Sequence, residues 1–205
     1  RSSDLRLMKK VNSGHKEIVL TGIHTGNYHD KNYMFADLLS DLTKIDGLKR
    51  LRISSVEITE LNDKVLEVIK NNSVSVNHMH VPLQSGSDKI LKLMNRKYDT
   101  NYFIQKIKKI RKIRPNISIT TDVIVGFPSE SDENFKETIE TIKKIDFTKI
   151  HVFPYSDRNG TVASKMKDKV DGNIKKKRVK EILEISKKQE QGTEEVVAGD
   201  GGHGG

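Results

Sequence analysis

The sequence predicts an α/β fold of repeated strand–helix units. Short β-rich runs alternate with amphipathic helical stretches, and strand starts recur about every thirty residues, the length of one βα unit. Crossovers of that length join parallel strands with right-handed connections. Taken in order, strands are expected at Glu17–Thr21, Lys49–Ser54, Val76–Val81, Ser118–Val125 and Lys149–Phe153. Helices are expected at Tyr33–Ile45, Glu60–Asn71, Asp88–Met94 with Asn101–Ile113, Ser131–Ile145 and Gly172–Lys188. Residues ahead of Ile18 read as the second half of a further amphipathic helix. Phe135, Ile139, Ile142 and Ile145 recur at spacings of three and four, as do Val179, Ile182 and Ile185 beside Leu183, which gives each of these helices one apolar face. Such units build an open doubly wound sheet or a (β/α) barrel. Five strands and an implied earlier one favour a partial six-stranded barrel, incomplete at its amino end.

The 205 residues suit one core domain, expected over 1–191. The segment 192–205 holds six of the fourteen glycines and no apolar periodicity, so it reads as a flexible tail or tag. No uncharged apolar run approaches the roughly 18 residues of a spanning helix, and no export signal is evident, which points to a cytoplasmic protein. With no cysteine, the chain offers no disulfide and no thiolate ligand for zinc or an iron–sulfur cluster. Lys and Arg number 37 against 28 Asp and Glu, a net charge of +9 that favours polyanionic partners.

In repeated βα folds ligands gather at the carboxyl ends of the strands, so the loops after each strand carry the functional information. Here these are Gly22–Tyr28, Ser54–Glu57, Pro82–Asp88, Gly126–Glu130 and Pro154–Thr161. Each also has a plain structural reading. Gly and Asn suit tight turns, Ser87 or Asp88 can cap the helix that follows, and Ser129, Ser131 or Asp132 can cap the next one. Glu57 and Asp122 are available for acid–base work or for capping. His78 and His80 share one strand face at metal-binding spacing without a third ligand, which favours a structural or substrate-facing pair over a metal site. The basic runs Lys106–Arg114 and Lys175–Lys180 read as solvated helix faces. There is no P-loop, GxGxxG, HExxH or GxSxG motif.

Five segments, KEIVLTGIHTGNY, LRISSVE, HMHVPLQSGSDKILKLMNRKY, TTDVIVGFPSESDENF and VFPYSDRNGTVASKM, resemble in order and spacing the radical S-adenosylmethionine methylthiotransferases over about residues 1–190. GIHTGNY, RISSVE and FPYSDRNGT are most similar to the branch that modifies N6-threonylcarbamoyladenosine 37 of transfer RNA. The alternatives within the family act on isopentenyladenosine 37 or on ribosomal protein S12. The resemblance implies a partial (β/α)6 barrel, S-adenosylmethionine and [4Fe-4S] clusters as cofactors, and tRNA, through its anticodon loop, as partner of a monomeric enzyme. It also implies that a deoxyadenosyl radical removes hydrogen from adenine C2 so that a methylthio group can be installed. By motif matching, Gly22 meets the methionyl amino group, Ser54 and Ser55 mark the next strand end, and Gln84 and Ser85 face the cofactor. Arg96 suits a carboxylate, Asp122, Ile124 and Gly126 lie against the adenine, and Phe153 and Tyr155 flank it. No residue is assigned a catalytic or metal-binding role.

The family's CxxxCxxC loop is expected just upstream of Arg1, an amino-terminal cluster domain before it, and an RNA-binding module beyond about Glu190. The chain is therefore expected to hold neither cluster, to bind S-adenosylmethionine weakly and to be inactive alone. A non-catalytic RNA-binding βα scaffold is the alternative of another class, and a barrel enzyme for a phosphorylated small molecule is a third. Aromatics at 5% of residues argue against the scaffold, since readers of single-stranded RNA stack bases on aromatic rings.

Overall fold

The computed structural model describes residues 17–20, 29–30 and 33–200, with side chains placed through 193. The expected helix ahead of Ile18 and the whole Gly22–Tyr28 loop lie outside the described residues. The chain packs as two compact units, residues 1–82 with 105–119, and residues 83–104 with 120–205. Among the described residues no helix is long and apolar enough to cross a membrane.

In the first unit, β1 (Glu17–Leu20) and β4 (Arg50–Ile53) run parallel, and β4 runs parallel to β5 (Ser75–His80). A two-residue antiparallel pair, β2 (His29–Asp30) with β3 (Tyr33–Met34), precedes α1 (Phe35–Thr43). Tyr33 therefore begins in extended backbone where the sequence pattern suggested helix. The second helix also starts later than expected. Ile58–Glu60 forms a 3-10 turn, in which the Glu57 amide donates to the Glu60 carboxylate at 3.2 Å, and Asn62 then caps α2 (Asp63–Asn71) by accepting from Val65 N at 3.0 Å.

Alternation along the strands buries Ile18, Leu20, Leu51, Ile53, Val76 and Met79 completely or nearly so. Val76 and Met79 are three apart because the pairing slips between Leu51 and Arg52: Leu51 faces Val76, and Arg52 faces His78. That bulge leaves His78 and His80 half-buried, with His78 Nδ1 3.3 Å from Ser118 Oγ. Burial holds the His78 pKa at about 4, with Arg52 and then His80 adding like-charge repulsion. Among the described residues no group of three His, Asp or Glu side chains is placed to hold a metal ion.

Arg114, expected on a solvated basic face, instead turns inward. Its guanidinium donates to the carbonyls of Ile69 and Asn72 at 2.6 and 2.7 Å and to Val74 at 3.1 Å, neutralising the carboxyl end of α2.

The second unit begins with α3 (Asp88–Leu93), followed by the first turn of α4 (Thr100–Ile113). β6 (Ser118–Val125) and β7 (Lys149–Pro154) pair in parallel, from Thr120 opposite Lys149 to Val125 opposite Pro154. α5 (Asp132–Ile145) separates them, and α6 (Gly172–Asp200) follows. Its helical backbone continues past Gly192, where composition suggested a tail, to Asp200.

Ser131 caps α5 by accepting from Asn134 N at 3.1 Å. Ser87 occupies the cap position of α3 without bonding it; Asp99 caps α4 by accepting from Tyr102 N at 2.7 Å, and the Asp88 carboxylate accepts from the Thr100 amide beside it at 2.8 Å. The rings of Tyr98, Phe103 and Phe147 meet at centroid distances of 5.9 and 6.2 Å and centre this core.

The run Lys175–Lys180 is only partly a solvated face. The buried stripe of α6 is Arg178, Ile182 and Ser186 at spacings of four, whereas Leu183 is 43% exposed. Ser186 Oγ accepts from Ile150 N at 2.9 Å. Arg178, 5% exposed, donates to the Glu130 carboxylate at 2.8 Å, the Glu130 carbonyl at 3.1 Å and Asp132 at 3.0 Å, and its guanidinium lies 5.4 Å from the Phe135 ring centre. Burial pushes the Glu130 carboxyl above its ordinary range, against the Gly126 amide and Arg178, which both favour the anion.

Removing one partner of a buried pair strands the other charge. Arg178→Met is expected to lower unfolding stability by about 3–5 kcal/mol in urea titration, and the double variant Glu130→Leu with Arg178→Met by clearly less. Stability also falls with acid through His78. Above pH 6.5 its ring is neutral folded and unfolded, between 6.5 and about 4 only the unfolded chain takes the proton, and below about 4 both do. Over that window wild type loses ~1–2 kcal/mol more than His78→Gln, an allowance for solvent screening around a half-buried ring.

Candidate functional site

A cleft of about 660 Å³ opens in the second unit at the carboxyl ends of β6 and β7. Its walls include Gln84, Arg96, Asp122, Ile124, Phe153 and Tyr155, six positions the sequence pattern marks, together with Arg158 and Thr161 from the loop after β7. Each reaches the cleft for a local reason.

Gln84 extends the strand pairing as an isolated bridge to Val123: its amide donates to Asp122 O at 2.9 Å, and its carbonyl accepts from Ile124 N at 2.8 Å. It does so at φ +70°, a left-handed conformation that an L residue adopts at a cost. The turn around it is locked from all sides. Leu83 N donates to Thr121 Oγ1 at 2.9 Å and Tyr98 OH donates to Leu83 O at 2.8 Å. Gly86 N donates to Thr138 Oγ1 at 3.1 Å, and Thr141 Oγ1 donates to Gly86 O at 2.8 Å. A Cβ on Gly86 would lie 2.6 Å from Thr138 Cα, so only glycine lets the turn approach α5 this closely.

Arg96 follows a Schellman ending on α3. Arg96 N donates to Leu91 O and Asn95 N to Lys92 O, both at 2.9 Å, with Asn95 left-handed at φ +59°. The reversal sends the Arg96 side chain toward the cleft, and its buried Nε has no partner in the protein. A guanidinium presents a planar fork of donors that matches a carboxylate. Opposite charge is present in the same cleft through Asp122, and Phe153 presents an aromatic face that is 52% exposed.

The wall formed by the loop after β7 is pinned by one lysine. Lys169 Nζ donates to Asp157 Oδ1 at 2.6 Å, Ala163 O at 2.9 Å and Ser164 O at 3.1 Å, and sits 5.6 Å from the Tyr155 ring centre. Tyr155 OH donates to Asp157 at 2.8 Å, and its ring packs edge-on to Phe127 at 5.2 Å. Lys169, then the Tyr155 hydroxyl, hold the Asp157 carboxyl below its ordinary range.

The remaining marked positions are elsewhere. Ser85 is fully buried, with its Oγ accepting from Ser87 N at 3.2 Å, and Gly126 is buried with its amide on Glu130 at 2.9 Å; neither lines the cleft. Ser54 and Ser55 follow β4 in the first unit, half-buried, where Ser54 N donates to Leu20 O at 3.0 Å. Gly22 lies outside the described residues. The sequence pattern passed over Arg158, Thr161, Glu130 and Arg178 as site or supporting residues. Arg178 had one readable signal, its four-residue spacing from Ile182, which puts it on the buried stripe.

The chain belongs to the Radical SAM superfamily, whose model matches residues 4–142. More particularly, it is 50% identical over 179 residues to the threonylcarbamoyladenosine tRNA methylthiotransferase MtaB of Bacillus subtilis, covering 86% of this chain and 40% of that protein. To the tRNA-2-methylthio-N(6)-dimethylallyladenosine synthase of the same bacterium it is 40% identical over 176 residues, 84% of this chain and 34% of that one. The chain spans about two fifths of the length of the curated relatives it matches. Among solved structures, the coproporphyrinogen III oxidase HemN of Escherichia coli, a radical SAM enzyme, superposes with a TM-score of 0.69 at 17% identity, over 92% of this chain and 44% of that one, a likeness of fold alone.

Two substitutions separate backbone strain from close packing in the turn. Gln84→Gly is expected to stay within about 1 kcal/mol of wild type in urea unfolding, because relief of the left-handed backbone offsets the added freedom of the unfolded chain. Gly86→Ala is expected to cost about 2–3 kcal/mol through overpacking against Thr138.

Proposed function

We propose that this chain is the S-adenosylmethionine-binding part of a cytoplasmic methylthiotransferase that installs a methylthio group at C2 of N6-threonylcarbamoyladenosine 37 in tRNA. The observation that carries the reading is the meeting of Gln84, Arg96, Asp122, Ile124, Phe153 and Tyr155 in one cleft at the strand ends. The choice of branch is supported by 50% against 40% identity to the two kinds of Bacillus subtilis enzyme.

The cleft fits the adenosyl ligand. Arg96, with its unpartnered Nε, would take the methionyl carboxylate. Ile124 and Phe153 offer apolar surface to the adenine, while Asp122 and Gln84 supply acceptors for its polar edge or the ribose. The locked Leu83–Gly86 turn keeps these groups in place before the ligand arrives, which lowers the ordering cost of binding. S-adenosylmethionine supplies, when bound, the radical chemistry of its family. A [4Fe-4S] cluster does not fit this chain's own residues, which include no cysteine, so no step through a cluster is assigned to them.

The test is nucleoside analysis. A bacterial strain lacking its own threonylcarbamoyladenosine methylthiotransferase is given the longer protein that carries this sequence, and digested tRNA is read by mass spectrometry. The expected result is return of the 2-methylthio derivative of threonylcarbamoyladenosine, with at least a tenfold loss of product in Arg96→Met. Methylthiolation of dimethylallyladenosine alone, or of neither nucleoside, would overturn the reading.

A further inference from the structure

The loop between β7 and α6 carries more cation than the adenosyl cleft uses. Its three acids are all engaged: Asp157 by Lys169 and Tyr155, Asp168 by the Ser129 hydroxyl at 3.3 Å, and Asp171 by the Asn173 amide at 3.0 Å. Arg158, Lys165 and Lys167 are exposed and face no carboxylate within ion-pair distance among the described residues.

They are also held in a defined arrangement. Thr161 N and Oγ1 both donate to Arg158 O, at 3.2 and 2.8 Å, around Gly160 at φ +83°. Ser164 N donates to Thr161 Oγ1 at 3.2 Å, which starts the 3-10 turn Ala163–Lys165, and Lys169 binds the carbonyls of Ala163 and Ser164 beneath it. Arg158, Thr161 and Ala163 line the cleft itself, so this platform is its rim. Beside the cations, Val162 is 84% exposed and Phe153 is 52% exposed. Fixed cations next to exposed apolar and aromatic surface, at the mouth of a cleft, are the combination that holds a single nucleic-acid strand by its phosphates while its bases pack.

We propose that Arg158, Lys165 and Lys167 form a phosphate-binding rim that seats an RNA strand at the mouth of the cleft, with Arg158 contacting the phosphate nearest the nucleotide that enters. The proposal rests on the reading of this protein as a tRNA-modifying enzyme and assigns the residues that meet the RNA backbone. Lys169 is a positioning residue here, because it holds the loop and leaves the RNA to its neighbours.

The experiment compares two triple variants of equal charge change. Arg158→Ala with Lys165→Ala and Lys167→Ala strips the rim, and Lys108→Ala with Lys109→Ala and Lys112→Ala strips exposed lysines of α4. Binding of a fluorescein-labelled anticodon stem–loop carrying unmodified adenosine is followed by anisotropy from about 50 to 200 mM salt, with thermal melting as a check that each variant folds. The rim variant is expected to bind at least tenfold more weakly, with a log–log salt slope shallower by about 2, at roughly 0.7 per lost single-strand phosphate contact. The α4 variant is expected to stay within about twofold, and Arg158→Lys alone within about threefold, since a phosphate accepts either cation.

Equal losses in both triples would reduce the effect to bulk charge and overturn the proposal, as would a rim variant that binds like wild type or a wild type that binds no RNA at low salt. The readout is separate from the nucleoside analysis. A null rim effect with methylthiolated threonylcarbamoyladenosine in cells removes only the rim, and a clear rim effect without that nucleoside removes only the assigned reaction.

Discussion

The cleft depends on one backbone splice. Gln84 bridges to β6 through two hydrogen bonds, to Asp122 O and from Ile124 N, and that register places three cleft residues on adjoining backbone. The splice requires a left-handed glutamine, and surrounding contacts hold it there. Thr121 and Tyr98 grip Leu83, Thr138 and Thr141 grip Gly86, and the absent Gly86 side chain is what permits that approach. A hydroxyl-rich stripe on α5, where an all-apolar one would give a simpler core, follows from this requirement, because a buried turn must find partners for its own amides and carbonyls.

A second constraint comes from desolvation. Glu130 and Arg178 are taken out of water together: Glu130 Oε1 accepts from Gly126 N and Arg178 while Oε2 is buried without a partner, and the guanidinium donates to Glu130 twice and to Asp132. The geometric effect is to tie α6 to the turn that follows β6. Electrostatics thus does in this turn what apolar packing does at Ile150 and Ile182, both essentially inaccessible to solvent. The same logic separates the arginines of this chain. Arg114 and Arg178 donate to carbonyls and carboxylates inside the protein, whereas Arg96 lines the cleft and Arg158 stands exposed at its rim.

Several features were readable before any coordinates. Alternation and β-branched content mark the five main strands to within a residue or two, and six of the positions singled out by the family resemblance line the cleft. The misreadings share a cause. Arg114 and Arg178 sit in lysine-rich runs that suggest solvent; only the four-residue spacing of Arg178 from Ile182 hints at burial, and no local signal names the partner, which lies tens of residues away. Ser87 occupies the capping position of α3 without bonding it, and its neighbour Asp88 instead accepts from the Thr100 amide at the start of α4, which Asp99 caps, because the chain returns there. Ser85, marked by the same motif as Gln84, is buried on the other side of the turn, and Gly126 lies past the end of β6 at φ +74° with its amide on Glu130 and its Cα face against Lys175.

Local chemistry was enough to specify the strand–helix rhythm, the cap at Ser131, the excess of positive charge and the lack of any thiolate ligand, because each depends on residues close in the chain or on composition alone. Tertiary structure alone decided which charges are buried, which hydroxyls support the Gly86 turn and which side of the β7–α6 loop faces the cleft. Those outcomes depend on distances between residues as far apart as Gly86 and Thr141, or Glu130 and Arg178, and only folding sets such distances.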